Sequence, residues 1–301
     1  MSATAPGLQE VVVGRSVART ARPAQWRATL RRHPRLAIGG GLVVLLVAVA
    51  ILAPLLTPYN PVVGDASDSL LPPSGAHWLG TDDLGRDVLS RVLYGARISL
   101  SVAIISVSIG LFIGTSVGLV AGYAGGTVDL LLMRLIDALL AFPALLLAIS
   151  ITAALGPEIR NAMIAIGVVA IPIYARLTRA QVLALREREY VTAARAIGAT
   201  PGRLAIRHIL PNIANALIVQ ATLTAAFAIL QEAVLSFLGL GAQPPTPSWG
   251  QDINYNQRYI TNLMWWGSVG PGFAIFLAVF AFNFLGDALR DWLDPQFRRR
   301  A

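Results

Sequence analysis

YVTAARAIGATPGRLAIRHILPN, residues 190–212, lies between long apolar runs and carries Arg195, Arg203, Arg207 and His208. A chain that otherwise reads as lipid-soluble interrupts itself here with a basic, helix-forming segment. Its first eight residues are alanine-rich and favour a helix. Gly198 then falls where a helix C′ residue takes φ > 0. Thr200 is a candidate cap for a second helix, and Pro201 suits its first position. Leu204, Ile206, Ile209 and Leu210 give that helix an apolar side, Arg203 and Arg207 stay wet, and Pro211 closes it. The stretch reads as helix, glycine turn, helix. Such a knob suits docking in a groove on a partner protein. A basic pair of helices is equally suited to lying on anionic headgroups.

The surroundings decide the class. Of 301 residues, 55% are hydrophobic and only 13% charged, where a soluble domain carries about 25% charged residues. Mean hydropathy is +0.63. One core cannot bury that much apolar surface, so the chain reads as an all-α polytopic membrane protein. Cysteine is absent, which excludes disulfides and thiolate metal sites. His33, His77 and His208 lie in different segments, which argues against a histidine metal site; no metal, cofactor or catalytic residue is expected. All 24 basic residues are arginine. A P-loop needs a lysine to reach the β- and γ-phosphates, so if ATP is used, another subunit hydrolyses it.

A spanning helix needs about 20 mostly apolar residues. Six candidates meet or approach this: 36–56, 98–120, 138–155, a shorter 161–175 with Pro172 near its end, 213–240 and 269–285. About 35 residues precede the first run, so it reads as an uncleaved signal anchor. With the N-terminus inside, the cytoplasmic segments hold Arg15, Arg19, Arg22, Arg27, Arg31, Arg32 and Arg35. They also hold Arg134, the seven arginines from Arg176 to Arg207, Arg290 and Arg298–Arg300, which makes 19 of 24. This bias places both termini and the 190–212 segment in the cytoplasm. The net charge of +8 is thus a topology signal and gives no reason to expect nucleic acid. The expected organisation is a cytoplasmic segment 1–35, a first span 36–56, an external loop 57–97, a five-helix domain 98–290 and a cytoplasmic tail 291–301. Within the domain, about 186–212 is cytoplasmic and about 241–268 external.

Gly110, Gly114, Gly118 and Gly122 recur every four residues and fall on nearly one helical face, where small residues let membrane helices approach closely. Charged residues within spans are costly and often functional. Asp137 and Asp287 lie near cytoplasmic helix ends, where structural roles serve as well. Glu232, in QEAVLSFLGLG, is either a gate or pathway residue or a paired interhelical carboxylate. In the first external loop, Thr81 or Asp82 can cap an amphipathic helix leading into the second span. Asp82, Asp83 and Asp87 lack the spacing of a calcium loop, so capping is the preferred reading. Pro58, Pro61, Pro72 and Pro73 suit an extended path there, and Trp265 and Trp266 fit a membrane interface.

AARAIGATPGRLAIRHILPN resembles the EAA loop of bacterial ABC importer permeases. Ala193, Ala194, Gly198, Leu210 and Pro211 match, Thr192 stands at the usual glutamate, and His208 replaces the first isoleucine. Further blocks, HWLGTDDLGRDVLSRVLYGARISL, LLAFPALLLAISI, SFLGLGAQPPTPSWG and FNFLGDALRDWLDP, resemble the second permease subunit of the dipeptide, oligopeptide and nickel importers. The similarity runs from about residue 36 to 295. It implies a type I ABC importer fold and one half of a translocation pathway for dipeptides or oligopeptides. Partners would be a homologous second permease, two ABC ATPase subunits holding ATP and magnesium, and an external substrate-binding protein, all at a bacterial cell membrane. Coupling to the ATPases would fall to Tyr190, Thr192, Ala193, Ala194, Gly198, Ala199, Leu204, His208, Leu210 and Pro211, with docking built around Ala193, Ala194 and Leu204. Nickel or glutathione import is the alternative cargo. A proton-coupled transporter using Glu232 and an aspartyl protease using Asp137 and Asp287 are the distant alternatives.

Overall fold

The computed structural model describes residues 33–57 and 59–293. The arginines from Arg15 to Arg32, Pro58, and the tail beyond Leu293 with Arg298–Arg300 lie outside the described residues. Among the described residues nine α-helices form, with two short 3-10 turns at Ala66–Asp68 and Gln257–Asn262: α1 Pro34–Leu56, α2 Val88–Ala124, α3 Gly126–Leu140, α4 Ala144–Leu155, α5 Ile159–Arg186, α6 Glu189–Ala196, α7 Pro201–Phe237, α8 Trp249–Asn256 and α9 Trp266–Leu293. The described residues contain no strand beyond one antiparallel bridge between Thr81 and Asp87.

Five helices, α1, α2, α5, α7 and α9, are long and apolar enough to cross a membrane. The sixth expected span, 138–155, is broken. α3 and α4 meet at a bend of 88° around Pro143. Proline removes an N–H and disfavours α-conformation in the residue before it. α4, with 12 residues, is about 18 Å long, well short of a bilayer core of roughly 30 Å. The pair makes a sixth span only if both limbs are counted together.

Other boundaries move outward. The helix of the fourth span is longer than its apolar run 161–175; α5 passes through Pro172 and runs on to Arg186. Membrane helices accept such a proline because neighbours re-satisfy the freed groups. The fifth span does not begin at Ile213, and Pro211 does not close the helix before it. α7 continues from Pro201 through Pro211 by widening into a π-turn over Ala205–Ile209. The π-turn shifts the backbone pairing by one residue just ahead of the proline, which has no N–H to place. The helix entering α2 is capped by Asp87, whose carboxylate accepts the Ser90 N–H at 2.7 Å, and not by Thr81 or Asp82. Asp82 instead closes a turn on the Leu84 and Arg86 N–H groups and on the Arg86 guanidinium.

Small residues make the closest helix contacts. At Gly110, Gly114, Gly118 and Gly122, α2 lies directly on α5. An added Cβ would sit 2.7 Å from Ala170 Cβ at Gly110, 2.5 Å from the Ile171 oxygen at Gly114 and 2.9 Å from Val182 Cβ at Gly122. At Gly118 it would strike the Ala175 carbonyl. A regular α-helix drifts about 40° every four residues. The π-turn Gly110–Gly114 widens the turn and helps hold these positions on one face. Elsewhere Gly39 of α1 seats on Leu285 of α9, and Gly286 of α9 seats on Thr222 and Leu223 of α7. The large side chains Leu45, Ile51, Leu55, Phe112, Phe273 and Phe276 point outward. This inverts a soluble protein and suits helices surrounded by hydrocarbon.

Gly118→Val is expected to separate α2 from α5 and to destabilise the protein by on the order of 1–3 kcal/mol. Gly40→Ala, at a site with nothing within 4 Å, should not. Thermal denaturation of the detergent-purified chain measures both, and an unchanged melting temperature in Gly118→Val would refute the packing argument.

Candidate coupling site

α5 ends at Arg186, and α6 starts three residues later with Arg188 at its N-cap. α6 lasts eight residues. Its end is a Schellman turn: Gly198 N–H donates to the Arg195 carbonyl at 3.0 Å, and Ala199 N–H to the Ala194 carbonyl at 3.1 Å. Gly198 has φ +87°. α7 begins two residues after Ala199 with Pro201 in its first turn. Thr200 occupies the N-cap position, but its side chain makes no capping bond; its carbonyl accepts the Leu204 N–H at 3.0 Å.

This compact pair of helix ends, the knob, has its own small core. Val191, Ala194 and Leu204 are buried together, with Ala199 and Tyr123 of α2 packed against them. The ten residues singled out for coupling therefore divide. Ala194 and Leu204 face inward and hold α6 to α7, so they offer no surface to a partner. Tyr190, Thr192 and Ala193 are exposed on α6. His208, Leu210 and Pro211 lie further along α7; Leu210 packs towards the membrane-helix core, and the His208 carbonyl accepts the Asn212 amide at 2.5 Å. The sequence reading placed Ile206 on the apolar side of the second helix and gave Ile197 no role. Instead they are the most exposed large apolar residues of the knob, at 65% and 88%. Exposed Glu189, Arg195, Arg203 and Arg207 surround them in sequence. An apolar tip with a charged rim is the composition of a docking surface. Isoleucine directly before a C′ glycine was the available sign, since a solvated helix end rarely spends a large apolar side chain there.

Two ion pairs tie α3 to α5 near this end. Arg179 grips Asp129 through two bonds of 2.5 and 2.6 Å, and Arg176 reaches Asp137 at 2.6 Å. The second pair is more than half exposed and contributes little. Asp287 is exposed on α9.

At the opposite end, residues 238–256, comprising α8 and the crossover before it, form a lid over α2, α7 and α9, whose Gly267 seats on Asn256. Arg91 of α2 holds Asp252 of α8 through Nε at 2.8 Å and Nη2 at 2.5 Å. Its Nη1 donates to the Pro61 carbonyl at 2.8 Å. Trp266 is buried, donating to the Thr81 carbonyl at 3.1 Å, while Trp265 is half exposed. Only Trp265 therefore has the exposure of an interface residue. Glu232 lies here, fully buried, with serine hydroxyls on its carboxylate. The three loop aspartates point apart: Asp82 to Arg86, Asp83 to Arg258, and Asp87 to His77 and Ser90.

Gly198 has open space around it, so a side chain there meets only backbone strain. Gly198→Val should weaken the knob by about 1–2 kcal/mol. Gly202→Ala, also in open space but at a helical position, should leave it unchanged or slightly stabilised. Hydrogen exchange of the α6 amides reads both, and equal protection in Gly198→Val would contradict the assigned turn.

Comparison with known proteins places this architecture. A family model described as the N-terminal TM domain of oligopeptide transport permease C matches residues 24–73. The dipeptide transport system permease protein DppC of Alkalihalophilus pseudofirmus is 46% identical over 276 residues, covering 91% of this chain and 90% of that protein. The di/tripeptide transport system permease protein DppC of Pseudomonas aeruginosa is 47% identical, covering 89% and 91%. The glutathione transport system permease protein GsiD of Pectobacterium atrosepticum is 45% identical, covering 91% and 90%. A chain from the inward-facing MetNI methionine ABC transporter shares the fold, with a TM-score of 0.52 and 22% identity over 67% of this chain and 97% of that one. A second family model matches residues 114–299, nearly all of the helices from the α2 glycine stripe onward, and the chain belongs to that family, the binding-protein-dependent transport system inner membrane components.

Proposed function

We propose that this chain is one of the two membrane-spanning halves of an ATP-driven importer for short peptides, and that the knob docks on an ATPase subunit. The observation that carries the reading is the knob itself: a two-helix element with its own core, set by a Schellman turn, with Ile197 and Ile206 exposed. It is joined directly to two long apolar helices, α5 and α7. A partner that moves the knob therefore moves those helices. The chain has no lysine and so no residue to reach the phosphates of a P-loop. ATP hydrolysis, with its magnesium, belongs in this reading to two partner ATPases, identical or not. A homologous second permease completes the pathway, and an external binding protein delivers cargo. The arginine bias puts the knob and both termini on the cytoplasmic side of a bacterial cell membrane and the lid outside.

Peptide cargo is favoured because two of the similar permeases are named for dipeptides or di- and tripeptides. Glutathione is the second reading, motivated by a relative of nearly equal identity. Nickel is the third reading. Uptake of a labelled dipeptide by cells carrying the complete system, competed with dipeptides, glutathione or nickel, separates the three. Competition by glutathione alone would overturn the dipeptide reading.

Two further outcomes test the coupling and the topology. Ile197→Asp with Ile206→Asp should leave membrane insertion intact but reduce capture of the ATPase subunits at least about tenfold, as loss of apolar anchors from a docking patch does. Undiminished capture would show that the knob is not the contact. In intact cells an impermeant thiol reagent should label Ser74→Cys and spare Thr192→Cys; the reverse pattern would invert the orientation.

A further inference from the structure

The block SFLGLGAQPPTPSWG connects α7 to α8, and the coupling site leaves it without a role. In the structure it is organised around Glu232. This carboxylate has no exposed surface, and none of the ion pairs among the described residues includes it. Three hydroxyls from three elements converge on it instead. Ser99 of α2 donates to Oε2 at 3.1 Å. Ser236 of α7 and Ser248, at the start of α8, donate to Oε1 at 2.8 and 3.0 Å.

Two of these serines carry the order onward. The Ser236 hydroxyl also accepts the Ala242 N–H at 3.1 Å, which fixes the crossover. Ser248 is the N-cap residue of α8, yet its side chain makes no cap bond. A serine there ordinarily binds an N–H of the first turn. Here the hydroxyl is directed to Glu232, so the carboxylate sets where α8 begins. Contacts too close for a side chain reinforce the arrangement. Gly250 rests on the Ala233 backbone, and Gly241 rests on Ser236. The Trp249 ring fills the space beside Gly95, 2.6 Å from where a Cβ would stand, and its Nε1 donates to the Val92 carbonyl at 2.8 Å. Gln251 donates to the Ala242 carbonyl at 2.8 Å.

We propose that Glu232 is the positioning residue that holds the lid, residues 238–256, against the ends of α2 and α7, so that the three move as one body. Its carboxyl serves as an acceptor for hydroxyls and transfers neither a proton nor cargo. Any opening at this end then lies at the edge of the unit, against the second permease, and not beneath the lid. That last clause rests on the importer reading; the placement of the lid does not.

The chain has no cysteine, so one introduced thiol is a unique reporter. Ala242 is 1% exposed within the lid. The Ala242→Cys complex, purified with its partners in nanodiscs, leaves both faces open to a maleimide, so labelling does not depend on topology. Glu232→Gln retains a side-chain oxygen for Ser236 and Ser248, and its amide can donate to the Ser99 oxygen. The reporter should stay protected in Glu232→Gln. It should react about tenfold faster in Glu232→Leu, the change given by ~1.4 kcal/mol of lost closure. Ser248→Ala, a milder change that folds more readily, should also react faster than the parent. Dipeptide uptake should remain within about twofold of the parent in Glu232→Gln and fall sharply in Glu232→Leu. Loss of uptake in Glu232→Gln with the reporter still protected would show that the ionisable group itself is required, and would overturn the proposal. A reporter as protected in Glu232→Leu or Ser248→Ala as in the parent would also overturn it. If the parent complex moves no dipeptide, the importer reading falls while the labelling still decides the lid.

Discussion

Hydrocarbon gives these helices no hydrophobic reason to associate, because a lipid tail is as apolar as leucine. Everything else in the structure depends on how the chain meets that constraint. It does so by bringing backbones together. The α2–α5 contact is a row of glycines laid on alanine, tyrosine and threonine, close enough that no Cβ fits. Dispersion between closely fitted surfaces, many weak contacts together, then replaces the missing solvent drive. The same device recurs where Gly39 meets α9 and where Gly286 meets α7. Many bulky side chains, such as Leu55, Phe112 and Phe276, face outward, while Ile166, Tyr174 and Trp249 stay inside.

Polar interactions are placed accordingly. Ion pairs gather towards helix ends: Arg179 with Asp129 at the knob end, Arg91 with Asp252 beneath the lid. Between them the buried polar side chains, such as Ser106, Thr152 and Thr224, are neutral hydroxyls. Glu232 is the most buried ionisable residue of α7 and is met by hydroxyls, which bring no second charge to desolvate. The lid end is thus fixed by directed bonds, and the middle of the bundle by shape.

Much of this was legible in the residues. Apolar runs located five spans, the glycine repeat marked a close-packed face, and Gly198 announced a left-handed turn before any coordinates. Two of the differences concern proline. Pro211 reads as a stop and Pro172 as a late incident, but in lipid a helix continues through proline when a neighbour or a π-turn accommodates the lost N–H. At Pro143 the chain does break, and local composition does not distinguish that site from the other two. The loop aspartates read as caps without showing which caps what: Asp87 caps α2, while Asp82 closes its own turn on the Leu84 and Arg86 N–H groups. The division of the knob into buried Ala194 and exposed Ile197 also depends on how α6 rolls onto α7, which a single short helix cannot reveal.

α7 runs unbroken from Pro201 to Phe237, 37 residues, so it is about 55 Å from end to end. Leu204, in the core of the knob, sits near one tip, and Glu232, in the node of the lid, sits near the other. The two ends of the molecule are therefore joined by one rod, with no intervening loop to absorb motion. A tilt of about 10° about its midpoint carries each tip roughly 5 Å, in opposite directions. The rod has one irregular turn, the π-turn Ala205–Ile209, at the knob end. Such a lever transmits a displacement at one membrane face to the other with little loss. The long arm beyond that turn, the one that carries the lid, is regular α-helix from Leu210 to Phe237.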